Sequence, residues 1–283
     1  MNAPKDTTRT TDPTIGVFDS GFGGLTVLRA LVARLPDARF AFIGDTARLP
    51  YGSKSRRTIA RYGVESAQFL VREQGAEFLV IACNTASALA LDAIQEAVPV
   101  PVLGVIEPGA ARAKAASRTG DVLVIATDAT VQSHAYAAAC KAVGLRALEK
   151  ACPLLVPLVE EGWTDHKVTE QVFRIYLDEL LHAASDAGMK PDTLVLGCTH
   201  YPLLRPLIER AVPGGMRVID SAETAAEAAV KLINHAAQAQ ASGDDTAPTI
   251  RCFATDSVEK FERLGSRFLG RPVGHVDLVD LGG

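Results

Sequence analysis

Short apolar runs alternate along the chain with longer stretches in which Ala, Leu and Val recur at helical spacing. Such alternation predicts parallel strands, each followed by a covering helix. Residues 15–18 (Ile-Gly-Val-Phe) read as a strand, followed by a Gly-rich turn and a helix over residues 25–34. Residues 39–43 form the next strand and 55–73 the next helix; 78–82 and 86–97 repeat the pair. The pattern then begins again, with a strand at 122–125, helical stretches at 133–141 and 169–184, a strand at 193–196 and a helix at 203–211. The fold class is therefore α/β, with mostly parallel sheets covered by helices on both faces.

Two segments look alike. Phe78-Leu-Val-Ile-Ala-Cys83-Asn-Thr and Thr193-Leu-Val-Leu-Gly-Cys198-Thr-His both run from an apolar strand through a small residue and a cysteine into polar residues. This predicts two pseudo-symmetric α/β halves. Pro99, Pro101 and Pro108 mark the passage between them, and a second crossing falls near 218–221, before an Ala-rich helix at 222–239. Residues 238–249 read as an exposed loop. The strand at 250–254 fits either half. The first 13 residues are polar, carry Pro4 and Pro13 and lack the apolar region of a signal peptide, so they read as a disordered leader.

Composition narrows the function classes. With 29 Lys+Arg against 33 Asp+Glu the net charge is -4, which supplies no footprint for nucleic acid or an anionic membrane. No apolar run reaches a membrane-spanning length. Five cysteines without a secretion signal point to free thiols in a reducing cytoplasm.

Cys83 and Cys198 stand where strands end and helices begin, which is where ligands bind in open parallel sheets. A helix N-terminus there is expected to favour thiolate, lowering a pKa that is ordinarily roughly 8.5. Two thiols facing one carbon could remove a proton from one side and return one to the other. Cys140, in an Ala-rich helix, and Cys252, in an apolar strand, read as core, and Cys152 has no assigned chemistry. Asp19 and Ser20 precede Gly21, Gly23 and Gly24, but the third glycine of a dinucleotide fingerprint is missing, since Thr26 occupies its place. Asp19 reads as a proton handler or a binder of a substrate ammonium, the alternative being an N-cap. His200 could assist the neighbouring thiol or activate a nucleophile, whereas a Cys-x-His pair alone falls short of a zinc site. Glu160 reads as a solvated loop carboxylate, and Pro50-Tyr51-Gly52 as a turn.

Several stretches resemble the glutamate racemase family: Ile15-Gly-Val-Phe-Asp-Ser-Gly-Phe-Gly-Gly-Leu25, Gly44-Asp45 with Pro50-Tyr51-Gly52, Ala82-Cys83-Asn-Thr85, Cys152-Pro-Leu-Leu-Val-Pro-Leu-Val-Glu160 and Leu196-Gly-Cys-Thr-His-Tyr-Pro-Leu203. The Asp-Ser-Gly-Phe-Gly-Gly and Pro-Tyr-Gly segments favour glutamate over the aspartate and hydantoin racemases that share the two-cysteine plan. The resemblance implies two domains, residues 14–105 with 220–283 and residues 106–219, with the active site in the cleft between them. It implies that Cys83 takes the proton from D-glutamate and Cys198 from L-glutamate, assisted by Asp19 and His200, with Glu160 a further acid. Ser20, Pro50, Tyr51, Gly52, Asn84, Thr85, Thr130 and Thr199 would hold the substrate together with Asp19 and His200. It implies no metal and no pyridoxal phosphate, a homodimer, and D-glutamate destined for peptidoglycan. Some relatives inhibit DNA gyrase, and nothing in this sequence supports that second role.

Overall fold

The structure, a computed structural model, describes residues 13–237 and 249–282. Residues 1–12 of the expected leader and 238–248 of the expected loop lie outside the described residues.

The first sheet is begun by β1 (Thr14–Asp19), β2 (Arg39–Gly44), β3 (Phe78–Ile81) and β4 (Val102–Gly104). Their connections are α1 (Leu25–Arg34), α2 (Arg56–Arg72) and the pair α3 (Asn84–Leu89) and α4 (Leu91–Ala97). α5 (Ile106–Ala116) leads to the second sheet, which contains β5 (Asp121–Ala126), β6 (Arg146–Ala151), β7 (Thr193–Gly197) and β8 (Arg217–Asp220). Between these strands come α6 (Asp128–Ser133), α7 (Ala135–Ala142), α8 (Leu155–Glu160), α9 (Lys167–Asp186) and α10 (Arg205–Ala211). α11 (Ser221–Ala237) crosses back and packs on α1 and α5. β9 (Ile250–Ala254), α12 (Val258–Leu269) and β10 (Val276–Leu278) follow, and β9 pairs with β2 in the first sheet.

The strand orders are β10-β9-β2-β1-β3-β4 and β6-β5-β7-β8, and every pairing among the described residues is parallel. The first strand of each half is flanked by the second on one side and by the third and fourth on the other. The expected pseudo-repeat is therefore present in the topology as well as in the two cysteine segments. In this order the chain leaves β1 in one direction and returns on its other side at β3, and β5 and β7 do the same. The carboxyl ends of such strand pairs are the switch points where open sheets bind ligands.

Burial explains which strands form the middle of each sheet. β1, β3, β5 and β7 are buried at every position. Val17 and Val80 join the apolar cluster on one face of the first sheet, and Phe18 and Ile81 join the cluster on the other. Successive side chains thus leave opposite faces into separate cores, as alternation along a strand requires.

Two predicted helices are broken. The stretch at 86–97 is interrupted at Ala90, and the stretch at 133–141 begins only at Ala135, because His134 takes a left-handed conformation (φ 55°) between α6 and α7. The predicted helix at 203–211 begins as a 3-10 turn at Tyr201–Leu204. Pro99 and Pro101 precede β4 and Pro108 lies inside α5, so the passage between halves is itself structured. No helix among the described residues is long and apolar enough to cross a membrane.

Candidate active site

The carboxyl ends of strands from both sheets converge on one pocket of about 380 Å³, a volume suited to a small ligand. β1 contributes Asp19 and Ser20, and the segment after β2 contributes Pro50, Tyr51 and Gly52. β3 leads into Cys83, Asn84 and Thr85, and β7 into Cys198, Thr199 and His200; Glu160 arrives from the end of α8. Thr130 alone of the sequence-derived set does not line the pocket. It is fully buried behind Thr85 and Thr127, and the three hydroxyls lie 2.9–3.2 Å apart in a ring that joins the two halves.

Cys83 caps α3. Its sulfur accepts the Ala86 N–H at 3.4 Å, and its thiol donates to Ser20 Oγ at 3.4 Å. The lowered thiol pKa expected from the sequence is not what this environment produces. Burial, then the nearby Asp19 charge, push Cys83 up to about 11, and the bonds from Ala86 and Ser20 recover only part of that. Cys198 is also pushed well above the ordinary thiol range, first by burial and then by Cys83 and Asp19. A short helix end cannot offset the loss of water around an anion. Burial therefore favours the thiol form of both sulfurs. Alkylation of Cys83 by iodoacetamide in the ligand-free protein is expected to climb with pH through about 11. A plateau near the ordinary thiol value of 9.0 would contradict the burial argument.

Asp19 does not cap α1, whose N-cap is Gly24 without a side-chain bond. Its Oδ2 accepts the Gly21 N–H at 3.0 Å, and among the described residues its buried Oδ1 has no hydrogen-bond partner. Burial raises its pKa despite the opposing Gly24 N–H and His200. Such a carboxylate is a stronger base than usual.

His200 packs against the rings of Phe22 and Phe268, which also touch each other, with Nε2 3.3 Å from Glu160 Oε1. Glu160 is thus the end of a helix in contact with His200 and not a solvated loop carboxylate. Lys260 of α12 approaches its other oxygen at 3.6 Å. Burial raises the Glu160 carboxyl, but His200 and Lys260 together hold it below its ordinary value. Tyr51 is buried, its hydroxyl donating to Asp45, so it presents its ring and backbone to the pocket while its oxygen is engaged elsewhere. The Asn84 side chain is engaged too, accepting from Tyr136 and donating to Ser221.

Sequence reasoning missed Thr127, Asp128 and the wall made by Pro153, Val156 and Pro157. Thr127 follows β5 as Ser20 follows β1, so the pseudo-repeat carried a signal for it. The wall lies in the Cys152–Glu160 stretch that carries the family resemblance, which assigned a role only to Glu160. Among the described residues no three His, Cys, Asp or Glu side chains converge as a metal site. Among the described residues no Lys or Arg lines the pocket, and its polar surface includes the hydroxyls of Ser20, Ser53, Thr85, Thr127 and Thr199.

The fold and site define a two-domain α/β protein whose pocket sits between the halves and presents one thiol from each. The sequence profile of the Asp/Glu/Hydantoin racemases matches residues 15–229. A glutamate racemase of Koribacter versatilis is 53% identical, the match covering 96% of this chain and 98% of that one. Among solved structures, a glutamate racemase isoform from Bacillus anthracis superposes with a TM-score of 0.85 at 38% identity, over 95% of this chain and 98% of that one. The Francisella tularensis glutamate racemase, solved in complex with D-glutamate, gives 0.84 at 34% identity, over the same shares of the two chains. The chain belongs to the Asp/Glu/Hydantoin racemase family.

Proposed function

We propose that this protein interconverts L- and D-glutamate by a two-base mechanism, Cys83 deprotonating D-glutamate and Cys198 deprotonating L-glutamate. The observation that carries the reading is the equivalence of the two cysteines. Each follows the third strand of its half, and both line one pocket. Residues 14–105 with 220–283 would form one domain of the enzyme and residues 106–219 the other.

In each turnover a thiolate takes the α-proton, the C–H electron pair stays on the α-carbon, and the facing thiol delivers its proton to the opposite side. One sulfur must be thiolate when the other is thiol, and burial disfavours thiolate at both. The substrate itself supplies what is missing. Its ammonium brings positive charge into a dry pocket, where it offsets the cost of a neighbouring anion. The free Oδ1 of Asp19 fits a role in relieving Cys83 of its proton, and the His200–Glu160 pair fits the same role near Cys198. The substrate carboxylates meet hydroxyls and backbone N–H groups. Thr85, Thr199 and the Pro50–Gly52 segment are the proposed contacts, with Thr130 bracing Thr85 from behind. The scheme needs no metal and no pyridoxal phosphate. Its product would be D-glutamate for peptidoglycan, made in the cytoplasm.

The test is deuterium incorporation at the α-carbon of L- and D-glutamate in D₂O with no cofactor added. Label appearing with inversion from either enantiomer is the expected result. Absence of exchange with glutamate would overturn the substrate assignment, and exchange with aspartate in its place would name the replacement.

A further inference from the structure

We propose that Tyr136 is a positioning residue, a strut that fixes the separation of the two thiol-bearing segments through its ring on one side and its hydroxyl on the other. The inference rests on the two-thiol reading above.

Tyr136 lies on α7 and has no exposed surface. Its ring fills the space where Gly197, the residue before Cys198, lacks a side chain. A Cβ on Gly197 would come 2.8 Å from Tyr136 Cε2 and 3.1 Å from the Ile125 carbonyl oxygen. The other edge of the ring faces Gly109 of α5, whose added Cβ would lie 3.3 Å from Tyr136 Cε1. At its far end the hydroxyl donates to Asn84 Oδ1 at 2.6 Å, and Asn84 is the residue after Cys83. The Asn84 amide then donates to Ser221 Oγ at 3.3 Å, where the chain enters α11 and returns toward the first sheet. One buried side chain therefore touches the residue before one cysteine and the residue after the other, and its hydrogen bond continues into the second crossing between halves.

A group in that place acts on geometry. Proton transfer to opposite faces of one carbon requires both sulfurs at reach of the same atom, and misplacement of about 1 Å can cost roughly 100-fold. A tyrosine suits the task because its ring is rigid and its single polar atom is fully engaged. Without the hydroxyl, Asn84 Oδ1 is left unpartnered and the Cys83 segment keeps only the Thr85 hydroxyl contacts as its side-chain link to the second half.

The experiment is Tyr136→Phe, which keeps the ring. Turnover in D₂O is read at initial rates by chiral separation and mass spectrometry, with thermal unfolding in parallel. Once a thiolate has taken the α-proton, the carbanion is reprotonated by the facing thiol, giving inversion. It can also be reprotonated by the first thiol after that thiol has exchanged with solvent, giving label with retention. The expected result is a kcat lower by roughly 10- to 100-fold, KM within about twofold, and a several-fold larger share of label in the retained enantiomer. A residue with a merely structural role lowers the folded fraction and scales both products alike. Ser221→Ala, which frees the other end of the Asn84 amide, is expected to shift the partition in the same direction and decides the matter if Tyr136→Phe does not fold. Wild-type partition in a folded variant overturns the strut. Wild-type inversion by Cys83→Ser would instead overturn the two-thiol reading beneath it.

Discussion

Replacing either Cys83 or Cys198 with serine is expected to lower racemisation of glutamate by roughly a thousandfold or more, in both directions. Serine keeps the shape of the site but holds its proton far more tightly, so one face of the carbon loses both its base and its acid. The single variants carry a second, directional signature. With Cys83 replaced, slow α-deuterium exchange without inversion is expected from L-glutamate only; with Cys198 replaced, from D-glutamate only. Chiral analysis of labelled glutamate checks both points. Exchange from the opposite enantiomer in each variant would reverse the assignment of the faces, and undiminished inversion would end the two-thiol mechanism. Cys140, Cys152 and Cys252 are buried and lie outside the pocket lining, so their serine variants test stability instead of chemistry.

Gly23→Ala is expected to reduce kcat/KM by about 100-fold while leaving the protein folded. The backbone at Gly23 is not in the left-handed region, so alanine meets no conformational penalty there. The obstacle is space. A Cβ at this position would lie 2.4 Å from Thr199 Oγ1 and 2.6 Å from His200 Nδ1. Neither neighbour can swing away freely. Thr199 is short and β-branched, and its carbonyl accepts the Thr26 hydroxyl at 3.1 Å. His200 is packed against the Phe22–Phe268 pair and tied to Glu160. The added methyl must displace the segment that begins with Cys198, and the halves would close on a misaligned pair of sulfurs. Steady-state kinetics in both directions, with circular dichroism as a check on folding, provide the measurement. Activity within about twofold of wild type would mean that this close approach does not set the sulfur positions.

What the sequence made legible follows from which strands lie in the middle. β1, β2, β3, β5 and β7 were all expected within a residue or two, because a strand covered on both faces must be apolar throughout. β6 (Arg-Ala-Leu-Glu-Lys-Ala) and β8 were not, and they are edge strands of the second sheet with polar positions in their runs. Edge strands carry charge because an apolar edge invites pairing with other chains. β4 and β10 have three residues each, too few to show any period. The pocket wall after β6 falls in a stretch that resembles the family, but of that stretch only Glu160 received a role, and only through the resemblance. The two cysteines were legible because their segments repeat. The direction of their pKa shifts was not, since sequence places a residue at a strand end without saying how dry that end is.

The parallel pairing of β9 with β2 means that the first sheet borrows strands made some 200 residues later in the chain. While the ribosome is still making the second half, β2 has one hydrogen-bonding edge with no neighbour, on a strand that reads Arg-Phe-Ala-Phe-Ile-Gly. An apolar strand with an open edge is a template for the wrong partner. The nascent protein therefore has an interval, as long as the synthesis of its second half, in which this apolar edge lacks the strand that covers it in the finished fold.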